Sequence, residues 1–168
     1  MAETAKQVQT GPSGLVSRIV TGWAVLGGVL LLVLVLMNSY SIIGNQFGYP
    51  FPGDFEMTEI GVAIAAFTFL PYCQMTDSNV TADIFTARAG PRWIALFSLV
   101  SSVVAFGFSL LLLWRMYAGM IDQKTYDYST AILGFPVWLA FLPILISLAL
   151  LAVAALVTLR DSARGVAG

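Results

Sequence analysis

Four runs of apolar residues, almost free of charge, set the terms for anything this chain can fold into: Ile19–Met37, Phe55–Met75, Trp93–Trp114 and Pro136–Leu159. A bilayer core is about 30 Å thick and takes roughly 20 apolar helical residues to cross. Each run is close to that length, and none shows the short alternation of a half-buried strand. The predicted fold is therefore all-α and membrane-embedded, with four transmembrane helices over residues 19–37, 55–75, 93–114 and 136–159. Composition agrees: 58% of the residues are hydrophobic and 10% charged, where a soluble domain carries about 25% charge.

The segments around these runs complete the predicted organisation. Residues 1–17, with Gly11, Pro12, Ser13 and Gly14 as breakers, read as a mobile tail; residues 18–160 form a single four-helix membrane domain, and 161–168 a C-terminal tail. The first run exceeds the roughly 7–15-residue core of a signal peptide and reads as a retained helix. NSYSIIGNQFGYPFPGD has no Lys or Arg and suits an ordered aromatic loop at the interface. The polar segment TDSNVTADIFTARAGPRW places Val80, Ile84 and Phe85 on one face and Asp77, Asp83 and Arg88 on the other, which predicts a short interfacial helix between helices 2 and 3. Pro71 predicts a bend in the second helix, and Pro136 suits the first turn of the fourth. Lys6, Arg18, Arg88, Arg92, Arg160 and Arg164 lie on one side, Arg115 and Lys124 on the other. The positive-inside rule then places both termini in the cytoplasm.

Composition also narrows the chemistry. The chain has no histidine and one cysteine, Cys73. It lacks the ligands for zinc, an iron–sulfur cluster or bis-histidine haem, and has no intrachain disulfide. No catalytic motif or phosphate-binding loop occurs, so no catalytic residue, cofactor or metal site is predicted. Asp77 and Asp83 read as solvated or capping acids. Basic residues are scattered singly, which argues against a nucleic-acid surface.

The most informative polar feature is FEMTEIG, residues 55–61, where Glu56 and Glu59 share one helix face at the mouth of the second run. Glu56 suits the first turn of a helix, where the macrodipole favours an acid. Glu59, one turn deeper, suits a buried polar contact, either within the bundle or to another protein. Gly27, Gly28, Gly107, Ser101, Ser102 and Ser109 are small enough to let helices approach closely. Ion conduction needs polar groups spaced along the membrane depth, and a self-contained transporter shows repeats; neither is visible here. An accessory role follows.

Taken together, the aromatic loop ending in FEMTEIG, the second run ending near LPYCQ, the turn SNVTADIF and the opening LGFPVWLAFLP of the last run resemble the small membrane subunit of tripartite ATP-independent periplasmic (TRAP) transporters, the DctQ-type family. Glu59, or Glu56 beside it, matches the family's acid at the start of its second span. Asp83 matches the acid of the following turn, Asn79 stands where His is common, and Pro136 and Trp138 match the start of the last span. The resemblance implies a small permease subunit in the bacterial inner (cytoplasmic) membrane. It implies two partners, a large ion-coupled membrane transport subunit and an extracytoplasmic substrate-binding protein, for uptake of a small organic, carboxylate-type solute. Glu56, Glu59, Asn79, Asp83, Pro136 and Trp138 are then the candidate partner-interface residues. The competing readings are a membrane anchor subunit of a redox enzyme and a small homo-oligomeric channel.

Overall fold

The computed structural model describes residues 12–49, 51–76 and 91–167, and within them the chain is all-helical. Four helices follow one another: α1 (Pro12–Gln46), α2 (Asp54–Met75), α3 (Pro91–Thr125) and α4 (Trp138–Ala167). Among the described residues, three of these are long and apolar enough to cross a membrane: α1 over Gly14–Gln46, α3 over Val100–Thr125 and α4 over Trp138–Arg160. α2 falls short of that standard although the sequence predicts a span there. Its apolar stretch lies between Glu59 and Pro71, with Gln74 beyond. The interfacial helix expected before α3, together with Asn79 and Asp83, lies outside the described residues.

α1 and α3 run well past their apolar runs, each as a helix of 35 residues, about 52 Å at 1.5 Å per residue. Residues 12–17, expected in the tail, already belong to α1, with Pro12 in its first turn, where a missing N–H costs nothing. At the other end the expected loop from Asn38 onward remains helical to Gln46. Both helices stop by the same device. Gly48 is left-handed (φ 78°) and the Tyr49 N–H donates to the Gly44 carbonyl at 2.8 Å; Asp127 is left-handed (φ 51°) and the Tyr128 N–H donates to the Gln123 carbonyl at 3.1 Å. These six-to-one bonds satisfy carbonyls that a helix end leaves free. The stop signals, not the edge of the apolar run, set the helix length.

The helices do not close around a common core. α1 packs on α2, α2 on α4 and α4 on α3, with only a slight direct approach of α1 to α4. The result is an open row in the order α1, α2, α4, α3. α4 is the best enclosed: Ala140, Ile144, Leu148, Ala154 and Ala155 are buried along it. Their recurrence fits one helical seam. The row's outer helices are bare by comparison, with Leu26 and Leu36 of α1 and Val104 and Phe108 of α3 all about 60% exposed. Such surface is stable only against lipid or another apolar protein.

Small residues set the closest approaches. A Cβ on Gly27 would lie 2.9 Å from Thr68 Cβ, and one on Gly61 would lie 2.6 Å from Leu34 Cδ1, so α1 and α2 meet through glycine at two levels. Gly28 and Gly107, expected to serve the same purpose, have nothing within 4 Å of a built Cβ. Each of α2 and α4 also contains a proline, Pro71 and Pro143. Pro71 is fully buried, and the Ser147 hydroxyl donates back to the Pro143 carbonyl at 2.8 Å. Burial covers the ladder that Pro71 interrupts.

Candidate functional site at the start of α2

α2 begins at Gly53, its N-cap, with φ 80°. That left-handed conformation favours a residue without Cβ. Space demands the same, because a Cβ at Gly53 would fall 2.5 Å from Leu133 Cγ. Gly53→Ala is expected to destabilise the protein by roughly 1–3 kcal/mol and to expose the loop between α3 and α4. Limited proteolysis at residues 126–137 of the detergent-solubilised protein checks this.

The loop that Gly53 faces is folded on itself. The Thr130 N–H donates to the Phe135 carbonyl (3.0 Å), the Gly134 N–H to the Thr130 carbonyl (3.1 Å) and the Val137 N–H to the Tyr128 carbonyl (3.0 Å), with a β-bridge between Ser129 and Pro136. This turn leaves the N–H groups of Ile132 and Leu133 directed at Glu56. They donate to its Oε1 at 2.8 Å and its Oε2 at 3.1 Å. Successive backbone donors around a turn make an anion cradle, and here the anion is the chain's own side chain. Glu56 therefore starts α2 and also pins the α3–α4 loop to it.

Beside Glu56, α2 is clasped to α1. Asn38 Nδ2 donates to Thr58 Oγ1 at 2.8 Å and to the Leu34 carbonyl at 2.9 Å, and Thr58 Oγ1 donates to the Asp54 carbonyl at 2.7 Å. The Ser41 hydroxyl donates to Asp54 Oδ2, and the Phe55 N–H to Asp54 Oδ1 at 2.8 Å. These two donors, Ser41 above all, hold the Asp54 carboxyl below its ordinary pKa. Their stabilisation is complete above that ordinary value and fades as the pH falls through the lowered one. Two more clasps lie elsewhere: Trp23 Nε1 donates to Ser147 Oγ at 2.9 Å, joining α1 to α4, and Gln74 Nε2 to Thr158 Oγ1 at 3.3 Å, joining α2 to α4.

The predicted residues thus separate. Glu56 is half-buried and engaged within the chain. Glu59 is exposed and has no hydrogen bond or ion pair among the described residues, so of the two contacts expected for it, within the bundle or to another protein, the described residues supply none within the bundle. The reason is rotational: the arc of α2 that turns inward carries Gly61, Ala65 and Thr68. Pro136 is not in the first turn of α4. It precedes the helix and offers its carbonyl to the Leu139 N–H at 3.1 Å. Trp138 is the first residue of α4, and Lys124 at the end of α3 places its Nζ 5.2 Å from the centre of the indole, a cation–π contact across the loop.

Sequence reasoning passed over Asn38, Ser41, Thr58, Ser147 and Thr158. Their signal is an isolated polar residue in an otherwise apolar helix, which in a membrane seeks a partner on a neighbouring helix. Every buried side-chain nitrogen or oxygen among the described residues has a partner. The described residues hold no group of three or more potential metal ligands.

No curated protein and no solved structure matches the chain. Residues 34–165 match the model of the family described as tripartite ATP-independent periplasmic transporters, DctQ component, a transporter component and not an enzyme family; the chain belongs to that family.

Proposed function

We propose that this DctQ-family protein is a fixed membrane scaffold: a small permease subunit that supports the large, ion-coupled component of a TRAP transporter during uptake of a small organic, carboxylate-type solute. The observation that carries this reading is where the polar side chains go. Asn38, Ser41, Asp54, Glu56, Thr58, Trp23 and Ser147 are all spent in joining one helix or loop to another. A protein that moved ions by itself would keep such groups facing a path. A brace needs them to hold its helices while wide apolar surfaces meet lipid and partner.

The same contacts support α2 as a fourth crossing. Gly61 packs at Leu34, Gly27 at Thr68, and Gln74 bonds to Thr158, so α2 lies alongside the apolar parts of α1 and α4 along its length. With the basic residues distributed as they are, both termini face the cytoplasm and the α1–α2 and α3–α4 connections face outward, where the substrate-binding protein docks. The test is genetic and biochemical together. Deleting the chain abolishes solute uptake in cells, re-expression restores it, and affinity purification of the tagged chain recovers a large multi-span membrane protein. Normal uptake in the deletion strain contradicts the proposal.

A further inference from the structure

Resting on that functional reading, we infer that the exposed face of α2 is the docking face for a membrane-spanning helix of the large component, and that Glu59 pairs there with a lysine or arginine of that helix.

Phe55, Glu59, Val62, Ala66 and Leu70 follow one another at spacings of four, three, four and four residues, and all are exposed. Such spacing draws one continuous stripe along a helix. The opposite arc is used up inside the chain: Gly61 and Thr68 lie against α1, and Gln74 bonds to α4. Ala63 and Ala66, both exposed, make the middle of the stripe shallow, so that another helix backbone approaches closely there.

Glu59 gives the stripe its partner. Thr58 beside it bonds to Asn38 of α1, and Gly61 just beyond packs on Leu34. Glu59 therefore sits level with α1 residues whose neighbours remain apolar and exposed beyond it, at Ile42 and Ile43. A carboxylate at such a level is costly without a partner. The two other acids at this end of α2 are both engaged, Asp54 by Ser41 and Phe55 and Glu56 by Ile132 and Leu133, while Glu59 has no partner among the described residues.

Charge decides between occupants. A second copy docked by a two-fold axis on this face brings its own Glu59 to the same level, which opposes two negative charges. Lipid phosphate is negative as well. A helix from a different chain with a cation at this depth satisfies both the stripe and the acid. The exposed face of α3, with Val100, Val104, Phe108 and Leu111, carries no carboxylate, and its one charge, Arg115, is exposed a turn further on at the end of the apolar stretch; the apolar part suits lipid.

The test uses the full-length chain in native membranes, carrying a photoreactive amino acid at Ala63, at Ala66 or, for comparison, at Val104. The expected result is a covalent adduct from Ala63 and Ala66 with the large transport component. Its cross-linked peptide contains a Lys or Arg within one helical turn, and Val104 gives little adduct. Glu59→Lys lowers the adduct yield at least about tenfold, and changing the partner's cation to Glu restores it. Glu59→Gln, with normal membrane levels of the chain, gives an intermediate yield. Co-purification of the large component with adducts from Val104 and none from Ala63 or Ala66 overturns the docking face alone. An adduct between two copies of this chain, or a yield unchanged by Glu59→Lys, overturns the paired cation. Absence of any large membrane protein from the purified complex overturns the functional reading and this inference with it.

Discussion

Gly27→Ala lowers the melting temperature of the detergent-solubilised protein by roughly 2–8 °C, whereas Gly28→Ala, one residue further along, leaves it unchanged or raises it slightly. The two substitutions add the same methyl group to the same helix and gain the same helix propensity, up to about 1 kcal/mol. Only the surroundings differ. The new Cβ at position 28 meets nothing within 4 Å, while at position 27 it lies 2.9 Å from both Cβ and Cγ2 of Thr68. Thr68 cannot turn aside cheaply. It is branched at Cβ, buried, and its hydroxyl donates to the Ile64 carbonyl at 2.7 Å, so α1 and α2 must separate. Overpacking of this kind costs about 1–3 kcal/mol. Circular dichroism during heating of the two variants side by side measures the difference.

Glu56→Gln and Glu59→Gln, three residues apart, affect different observables. Glu56→Gln loses one of the two oxygens that receive the Ile132 and Leu133 N–H groups, and it loses the charge that strengthens both bonds. Hydrogen exchange at residues 130–135 is expected to rise by roughly tenfold or more, with the loop exposed to protease. Glu59→Gln leaves exchange in that loop as it was, because Glu59 makes no hydrogen bond or ion pair to it. Its effect falls on assembly with the large component. Hydrogen-exchange mass spectrometry of the two variants separates these roles, and equal loosening of the loop by both would remove the distinction.

The four long helices among the described residues were legible in the sequence as apolar runs, because an apolar run in lipid leaves the backbone no alternative to internal hydrogen bonding. Helix ends were less so. Asn38 to Gln46 looked like loop because polar and aromatic residues replace the apolar run, yet nothing there stops a helix until Gly48 adopts a left-handed conformation. Ser39 even donates to the Val35 carbonyl at 2.8 Å, feeding its polarity back into the ladder. Which glycines matter was not readable either: Gly27 and Gly28 are equivalent in a sequence, and only the rotation of α1 against α2 tells them apart. Pro136 suited a first helical turn equally well on composition. The bridge to Ser129 holds it outside α4.

The two glutamates show the same limit at the site. Charge and spacing placed both at the mouth of α2, and the helix dipole explained Glu56. That its carboxylate would be claimed by the backbone of a loop far along the chain, at Ile132 and Leu133, depends on α4 lying next to α2. Short-range patterns do not encode that adjacency. Glu59 stands among apolar residues, which suits a contact within the bundle or to another protein equally; that those residues belong to a face the chain itself leaves open was not readable from spacing.

Solute uptake into proteoliposomes tests the scaffold role most directly. Vesicles containing this chain alone are expected to show no uptake under an imposed ion gradient with the substrate-binding protein outside, while vesicles containing it with the large component accumulate solute. Ion-driven uptake by the chain alone, or full uptake by the large component in its absence, would contradict the account.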